Sequence, residues 1–217
     1  MSYPIVVLIS GSGSNLQALI DQSLQGQLDI NICAVISNKA EAYGLERAKL
    51  AGIPTHTLDH KSFASRDEFD AELQTMIDQY QPKLVVLAGF MRILTETFAK
   101  HYEGRMLNIH PSLLPKYKGL NTHQRAIDAG EKEHGVSVHF VSPELDGGAV
   151  ILQASTAIAE EDTAASLANK VHSLEHIIYP LAVKWFSEKR LTFHDGKAFL
   201  NGSVLPENGV LYDQALM

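Results

Sequence analysis

The 217-residue chain carries 18 Lys and Arg against 25 Asp and Glu, and its formal charge of −7 argues against a broad nucleic-acid or anionic-membrane surface. A content of 45% hydrophobic and 20% charged residues suits a globular chain of one α/β domain or two small ones. Cys33 is the one cysteine, which excludes an internal disulfide and a thiolate metal cage. No basic leader region opens the chain and no apolar run reaches the ~18 residues of a membrane span, so a cytoplasmic location is expected.

Ile5-Val6-Val7-Leu8-Ile9 is an unbroken apolar run, as expected of a strand buried on both faces. The small polar and glycine residues from Ser10 to Asn15 break it, and Leu16, Leu19 and Ile20 then recur at helical spacing. A second strand is expected over Ile32 to Ile36, a helix around Leu45 to Ala51, and a short third strand from Pro54 to Leu58. From Ser62 to Tyr80 the residues Phe69, Leu73, Met76, Ile77 and Tyr80 form one apolar stripe, predicting a helix. Leu84 to Ala88 and Met106 to His110 read as further buried strands.

In the second half, Val136 to Val141 alternates like a half-exposed strand, with His139 half-buried and His134 in a loop before it. Asp146-Gly147-Gly148 turns the chain into another strand at Val150-Ile151-Leu152. A long helix starts near Asp162 or Thr163, with Leu167, Val171, Leu174, Ile178, Leu181 and Trp185 as its core stripe; Pro180 should kink or interrupt it. Asp195-Gly196 between Leu191-Thr192-Phe193 and Ala198-Phe199-Leu200 signals a hairpin. With strands and helices alternating and no repeat or linker, a single α/β domain over residues 1–217 is expected, its sheet mostly parallel and twisted, with helices on both faces.

Four segments carry chemistry. The loop Gly11-Ser12-Gly13-Ser14-Asn15-Leu16 follows a strand and opens a helix, where free backbone N–H groups and the helix dipole favour an anion. Leu16 occupies the place of the last glycine of a dinucleotide fingerprint, and Ser37-Asn38-Lys39 stands where a ribose-holding acid would be. A phosphomonoester therefore fits better than a nicotinamide dinucleotide; a turn without a ligand also fits. Met91, Ile93 and Leu94, with Arg92 at the rim, suit an apolar slot for a flat heterocycle, or the start of a core helix.

Asn108 and His110 are two residues apart on a strand, so both side chains leave one face, and Pro111 ends the ladder beside them. An amide donor next to an imidazole suits oxyanion stabilisation and proton transfer, although a core histidine and a strand-end asparagine fit the same residues. Asp146 is either turn chemistry or a carboxylate that pairs with His110. His172 and His176, with Glu175 near them, have no third partner in prospect, so no metal is expected.

Taken together, the segments Ser10 to Asn15, Ala88-Gly89-Phe90-Met91-Arg92, Asn108 to Pro115 and Glu144 to Gly148 resemble the phosphoribosylglycinamide formyltransferase family, folate-dependent enzymes of purine synthesis. The resemblance runs from Ile5 to about Trp185. It implies a Rossmann-like formyltransferase fold, with nucleotide phosphate at Gly13, Ser14 and Asn15 in the N-terminal half, and folate binding and catalysis in the C-terminal half. By the same resemblance, folate would contact Arg66, Met91, Arg92, Ile93, Leu94 and Asn108. It would also meet the loop Ser142, Pro143, Glu144, Leu145 and Asp146. His172, Ser173, Leu174 and Glu175 would contact the glycinamide ribonucleotide, and Asn108, His110 and Asp146 would be catalytic.

The implied co-substrate is 10-formyltetrahydrofolate, with no metal, and the implied partners are small molecules rather than nucleic acid or membrane. Lys116 and Lys118 are expected to supply positive potential for anionic substrates. A formyltetrahydrofolate deformylase would share these catalytic residues, although such enzymes carry a regulatory domain ahead of the first strand. A non-catalytic folate- or nucleotide-binding module is the reading from another class.

Overall fold

A computed structural model describes residues 2–213. The chain divides into two compact units at Asn108/Ile109, and each is built around its own part of the strand pairing.

The first unit starts from the apolar run, which forms β1 (Tyr3–Ile9); Val6 to Ile9 have no exposed surface. β2 (Ile30–Ser37) and β3 (Thr55–Thr57) add on one side of it, and β4 (Leu84–Leu87) followed by β5 (Met106–His110) on the other. The order is β5-β4-β1-β2-β3, and every pair is parallel. Because β2 and β4 lie on opposite sides of β1, the connections leave the carboxyl ends of β1 and β4 in opposite directions. In parallel sheets that divergence is where a ligand crevice opens. The helices are α1 (Ser14–Leu24), α2 (Tyr43–Leu50), α3 (Arg66–Asp78) and α4 (Glu96–His101).

α3 is shorter than the apolar stripe predicts. Ser65 caps it, accepting from the Glu68 amide at 3.1 Å, while the Glu68 carboxylate accepts from the Ala64 amide at 3.1 Å. Ser62 instead ends a separate 3₁₀ turn at His60–Ser62, capped by Asp59. At the other end, Gln81 takes a left-handed φ of 47° ahead of Pro82, so Tyr80 falls outside the helix. Phe69, Leu73 and Ile77 form the buried stripe as expected.

In the second unit β6 (Glu133–Phe140) and β7 (Val150–Ala157) pair antiparallel, and β11 (Val210–Leu211) adds parallel to β7. The expected alternation in β6 does not hold: every residue from His134 to Phe140 is buried. His134 is therefore a strand residue and not a loop residue, and His139 is fully buried, 2% exposed. The polar members of the alternation are accommodated by hydrogen bonds described below. α5 (Thr122–Asp128) precedes β6.

The long helix α6 (Ala164–Ser187) begins with a capping box between Thr163 and Ser166 and continues through Pro180 without interruption. Leu167, Val171, Ile178, Leu181 and Trp185 are buried along it, as the periodicity predicts. The hairpin of β8 (Leu191–His194) and β9 (Lys197–Leu200) turns at Asp195 and Gly196, both at positive φ, the conformation a two-residue hairpin favours. β10 (Ser203–Val204) completes this antiparallel three-stranded sheet. The fold is α/β: the strand pairs of the first unit are all parallel, while in the second β6 and β7 pair antiparallel and β11 lies parallel to β7. No helix among the described residues is long and apolar enough to cross a membrane.

Candidate active site

In the first unit, the carboxyl ends of β1 and β4 are joined through one buried side chain. The Ser10 hydroxyl donates to Asn38 Oδ1 at 2.5 Å and accepts from the Met91 amide at 2.7 Å. The Ser10 amide donates to the Gly89 carbonyl at 3.1 Å. The glycine loop and the Met91 segment are thereby fixed to each other, a link the sequence reading missed. A serine and an asparagine at the ends of adjacent buried strands were the available signal.

The loop itself is shaped by glycine. Gly13 sits at φ 70°, and a Cβ there would lie 2.6 Å from Gly44 Cα, which no side chain tolerates. Gly13 therefore has a packing duty besides any approach to a ligand: it lets the start of α1 touch the start of α2. Arg47 of α2 ties the loop from outside, Nε donating to the Ser12 carbonyl at 2.8 Å and Nη1 to Gln17 Oε1 at 3.1 Å. No side chain caps α1, so the first-turn amides at Ser14 and Asn15 have the charge character that attracts an anion.

Met91 and Ile93 are 60% and 54% exposed in a loop that runs up to the Thr95 cap of α4, so these residues are not a core helix start. The guanidinium of Arg92 lies over the Phe69 ring at 5.5 Å. Asp70 holds the far end of the loop, accepting from the Thr95 amide at 2.6 Å, and burial raises its carboxyl above the ordinary range. Arg66 is exposed at the first position of α3.

The second unit holds His110 and Asp146. β5 ends at His110, just before Pro111, and strand alternation sends His110 and Asn108, the last residue of the first unit, to the same face of that strand. His110 is 6% exposed. Its Nε2 lies 2.9 Å from the Tyr117 carbonyl, which can only accept, so Nε2 carries a proton. Its Nδ1 lies 3.4 Å from Asp146 Oδ2, and the Asp146 side chain is 9% exposed.

Asp146 sits at a φ of 48° and takes the Gly119 amide on the same oxygen at 2.9 Å. Gly148 closes the turn behind it, where a Cβ would strike the Phe140 carbonyl oxygen at 1.8 Å. The other Asp146 oxygen faces His139 Nε2 at 3.9 Å. Burial pushes His139 down to about 4, against the opposing effects of the Phe140 carbonyl and Asp146, so this ring is neutral at pH 7. The pairing of His110 with Asp146, one of two readings of the sequence, is what the structure contains.

A buried network supports the chain that wraps His110. Ser137 Oγ donates to the Ser112 carbonyl at 2.6 Å and accepts from the Leu114 amide at 3.0 Å and Gln153 Nε2 at 2.8 Å. Gln153 Nε2 also reaches the Leu114 carbonyl at 2.8 Å. Ser112 in turn donates to the Lys116 carbonyl at 2.6 Å. Polar residues inside strands that are otherwise buried were the sequence signal for this network.

Lys116 and Lys118 are not free sources of positive potential. Lys116 pairs with Glu131 at 2.9 Å and Lys118 with Glu144 at 2.7 Å. Glu144 is exposed, as are Pro143 and Leu145, with Ser142 partly so. On α6, His172 and Ser173 face solvent, Leu174 is partly buried, and Glu175 is 5% exposed. His123 and His134 hydrogen-bond ring to ring at 3.1 Å. Burial drives His123 down to about 4, with His134, His172 and His110 adding repulsion. Among the described residues no group of three or more His, Cys, Asp or Glu could hold a metal ion.

Comparison with known proteins shows the family. The formyl transferase family model matches residues 3–183. Phosphoribosylglycinamide formyltransferase of Escherichia coli is 54% identical over 210 residues, 97% of this chain and 99% of that one. The human trifunctional purine biosynthetic protein adenosine-3 is 46% identical over 180 residues, 83% of this chain and 18% of that much longer protein. The solved phosphoribosylglycinamide formyltransferase of Coxiella burnetii superposes with a TM-score of 0.94 at 56% identity, covering 98% of this chain and 100% of that one. The chain belongs to the formyl transferase family.

Proposed function

We propose that the protein transfers the formyl group of 10-formyltetrahydrofolate to the amine of glycinamide ribonucleotide. The observation that carries this reading is His110 held between the Tyr117 carbonyl and Asp146 at the end of β5, in a chain of this family. The amine nitrogen attacks the formyl carbon, forming the new C–N bond and a tetrahedral oxyanion. Asn108 donates a hydrogen bond to that oxyanion, and protonated His110 stabilises it through its charge. Asp146 faces the Nδ1 proton of His110 and assists transfer of the amine's proton to N10 of the folate. Collapse of the intermediate breaks the bond to N10 and releases tetrahydrofolate. Holding both substrates together supplies the proximity term.

The uncapped start of α1, with Gly13, Ser14 and Asn15, suits the phosphate of the ribonucleotide. In the first unit, exposed Met91 and Ile93, with Arg66, Arg92, Leu94 and Asn108, suit the folate ring; in the second unit, the loop from Ser142 to Asp146 suits a folate contact of its own. Glu175, with His172, Ser173 and Leu174, suits the ribose or the amine. The test is release of tetrahydrofolate, followed by absorbance, with and without glycinamide ribonucleotide. Release that depends on the ribonucleotide is expected; release without it would make the protein a hydrolase, and no release from folded protein would leave a binding role.

A further inference from the structure

We propose that Glu131, acting through Tyr117, is a positioning residue that sets the ring of His110 for formyl transfer; the proposal rests on the catalytic role of His110 given above. Four observations in the second unit converge on it. The Tyr117 carbonyl is the acceptor of His110 Nε2, so the orientation of that one peptide group decides where the ring points. Tyr117 holds this peptide in the left-handed region, φ 55°, a conformation a bulky residue adopts only when its surroundings impose it.

The imposing group is Glu131. Its carboxylate accepts the Tyr117 hydroxyl at 2.9 Å and takes Lys116 Nζ on both oxygens at 2.9 and 3.0 Å, gripping two consecutive residues at once. These bonds, Lys116 first, hold the Glu131 carboxyl below its ordinary range, and the Glu131 side chain is only 25% exposed. Arg125 lies over the Tyr117 ring at 5.3 Å and donates to the Lys118 carbonyl at 2.7 Å, while His134 meets the ring edge-on at 6.3 Å. Two residues further on, the Gly119 amide binds Asp146 Oδ2, the oxygen that faces His110 Nδ1. The segment from Lys116 to Gly119 thus touches both members of the His110–Asp146 pair, and Glu131 is its anchor.

The experiment measures kcat and KM for both substrates in Tyr117→Phe, Glu131→Ala, Glu131→Gln and the Tyr117→Phe/Glu131→Ala double variant. It is combined with nitrogen-15 spectra of histidine-labelled protein, in which His110 is assigned by its loss in His110→Gln. Tyr117→Phe and Glu131→Ala should each lower kcat about 5- to 30-fold, since misplacement of a catalytic group by ~1 Å costs up to ~100-fold. KM should stay within about twofold, and the double variant should be no worse than the poorer single one, because both changes cut one chain of contacts. The Nε2 resonance of His110 should move in all three, a change that loss of stability alone does not produce. Glu131→Gln keeps an acceptor oxygen for the hydroxyl and should stay within about twofold in kcat.

An unmoved Nε2 resonance with kcat within twofold in Tyr117→Phe overturns the proposal. So do losses that multiply in the double variant, or a Gln variant as impaired as the Ala variant. His110→Ala, measured in parallel, separates the two readings. If it retains turnover, the catalytic assignment falls; if it is inactive while Tyr117→Phe is unaffected, only the positioning role falls.

Discussion

The glycine loop at the end of β1 and the histidine pocket at the end of β5 solve the same problem with opposite means. Each presents polar groups beyond the carboxyl end of a buried strand. The loop does so with backbone: α1 has no side-chain cap, and the contact of Gly13 with Gly44 brings two helix starts together. The pocket does so with side chains, and each of them is held by another. His110 rests on Tyr117, Asp146 on Gly119, and the wrapping segment on Ser137 and Gln153. A backbone device needs only space and the right φ, so it tolerates changes that leave both. A side-chain device placed in a buried setting depends on every partner, because an unmatched polar group there costs far more than an exposed one.

That contrast is broken most directly in the pocket. His110→Ala should lower kcat by at least ~10²–10³, the usual scale for losing one group that stabilises an oxyanion, with KM for either substrate changed far less. Asp146→Asn keeps an acceptor for the Gly119 amide but removes the charge facing Nδ1, and should cost roughly 10²-fold in kcat. Steady-state rates with both substrates saturating check the pair. Near-normal turnover in His110→Ala would remove the pocket from catalysis.

The loop should respond differently. Gly13→Ala forces a side chain into the left-handed region and against backbone, and strain together with overpacking should cost about 2–5 kcal/mol of stability. In the fraction that folds, the effect should fall on KM for the ribonucleotide rather than on kcat. Urea unfolding and steady-state kinetics separate the two, and a kcat loss as large as that of His110→Ala with unchanged KM would erase the distinction drawn here.

The same difference explains what was readable in the sequence. Strands β1, β4 and β5 announce themselves as apolar runs bounded by Gly or Pro, and the Asp195-Gly196 hairpin by its turn chemistry, because these signals are local. Asn108, His110 and Asp146 were readable as candidates by residue type, and two of them are now seen 3.4 Å apart. β6 was misread because its serine and histidines look solvent-facing until their partners, Ser112, Leu114, Gln153 and His123, are supplied by distant parts of the second unit. The ion pairs of Lys116 and Lys118 were hidden for the same reason. Non-local hydrogen bonding inverts the meaning of a polar residue, and a single sequence does not contain it.

Ser137 sharpens the point, since it looks like the exposed half of an alternating strand. Ser137→Ala strands the Leu114 amide and the Ser112 carbonyl in a buried setting and should cost about 2–3 kcal/mol, measured by urea unfolding. A cost below ~0.5 kcal/mol, ordinary for a surface serine, would show that the network is ornamental.

The smallest effect concerns acid stability, and its sign follows from the buried histidines. His139 and His123 are each pushed down to about 4 and His134 is lowered in the same direction, in every case chiefly by burial. The unfolded chain titrates these rings near 6.5, so between about pH 6.5 and 4 it binds protons that the folded chain refuses. Stability is therefore full above pH 6.5 and declines as pH falls through that window. Urea midpoints at pH 7.5, 6.5 and 5.5 should show a plateau and then a fall, and His139→Gln should make the slope below pH 6.5 shallower. All three rings lie in the second unit, on β6 or hydrogen-bonded to it, so hydrogen exchange at pH 5.5 should loosen β6 while leaving β1 protected. Equal loosening of both strands would mean that the acid sensitivity belongs to the whole chain and not to the buried side chains that surround His110.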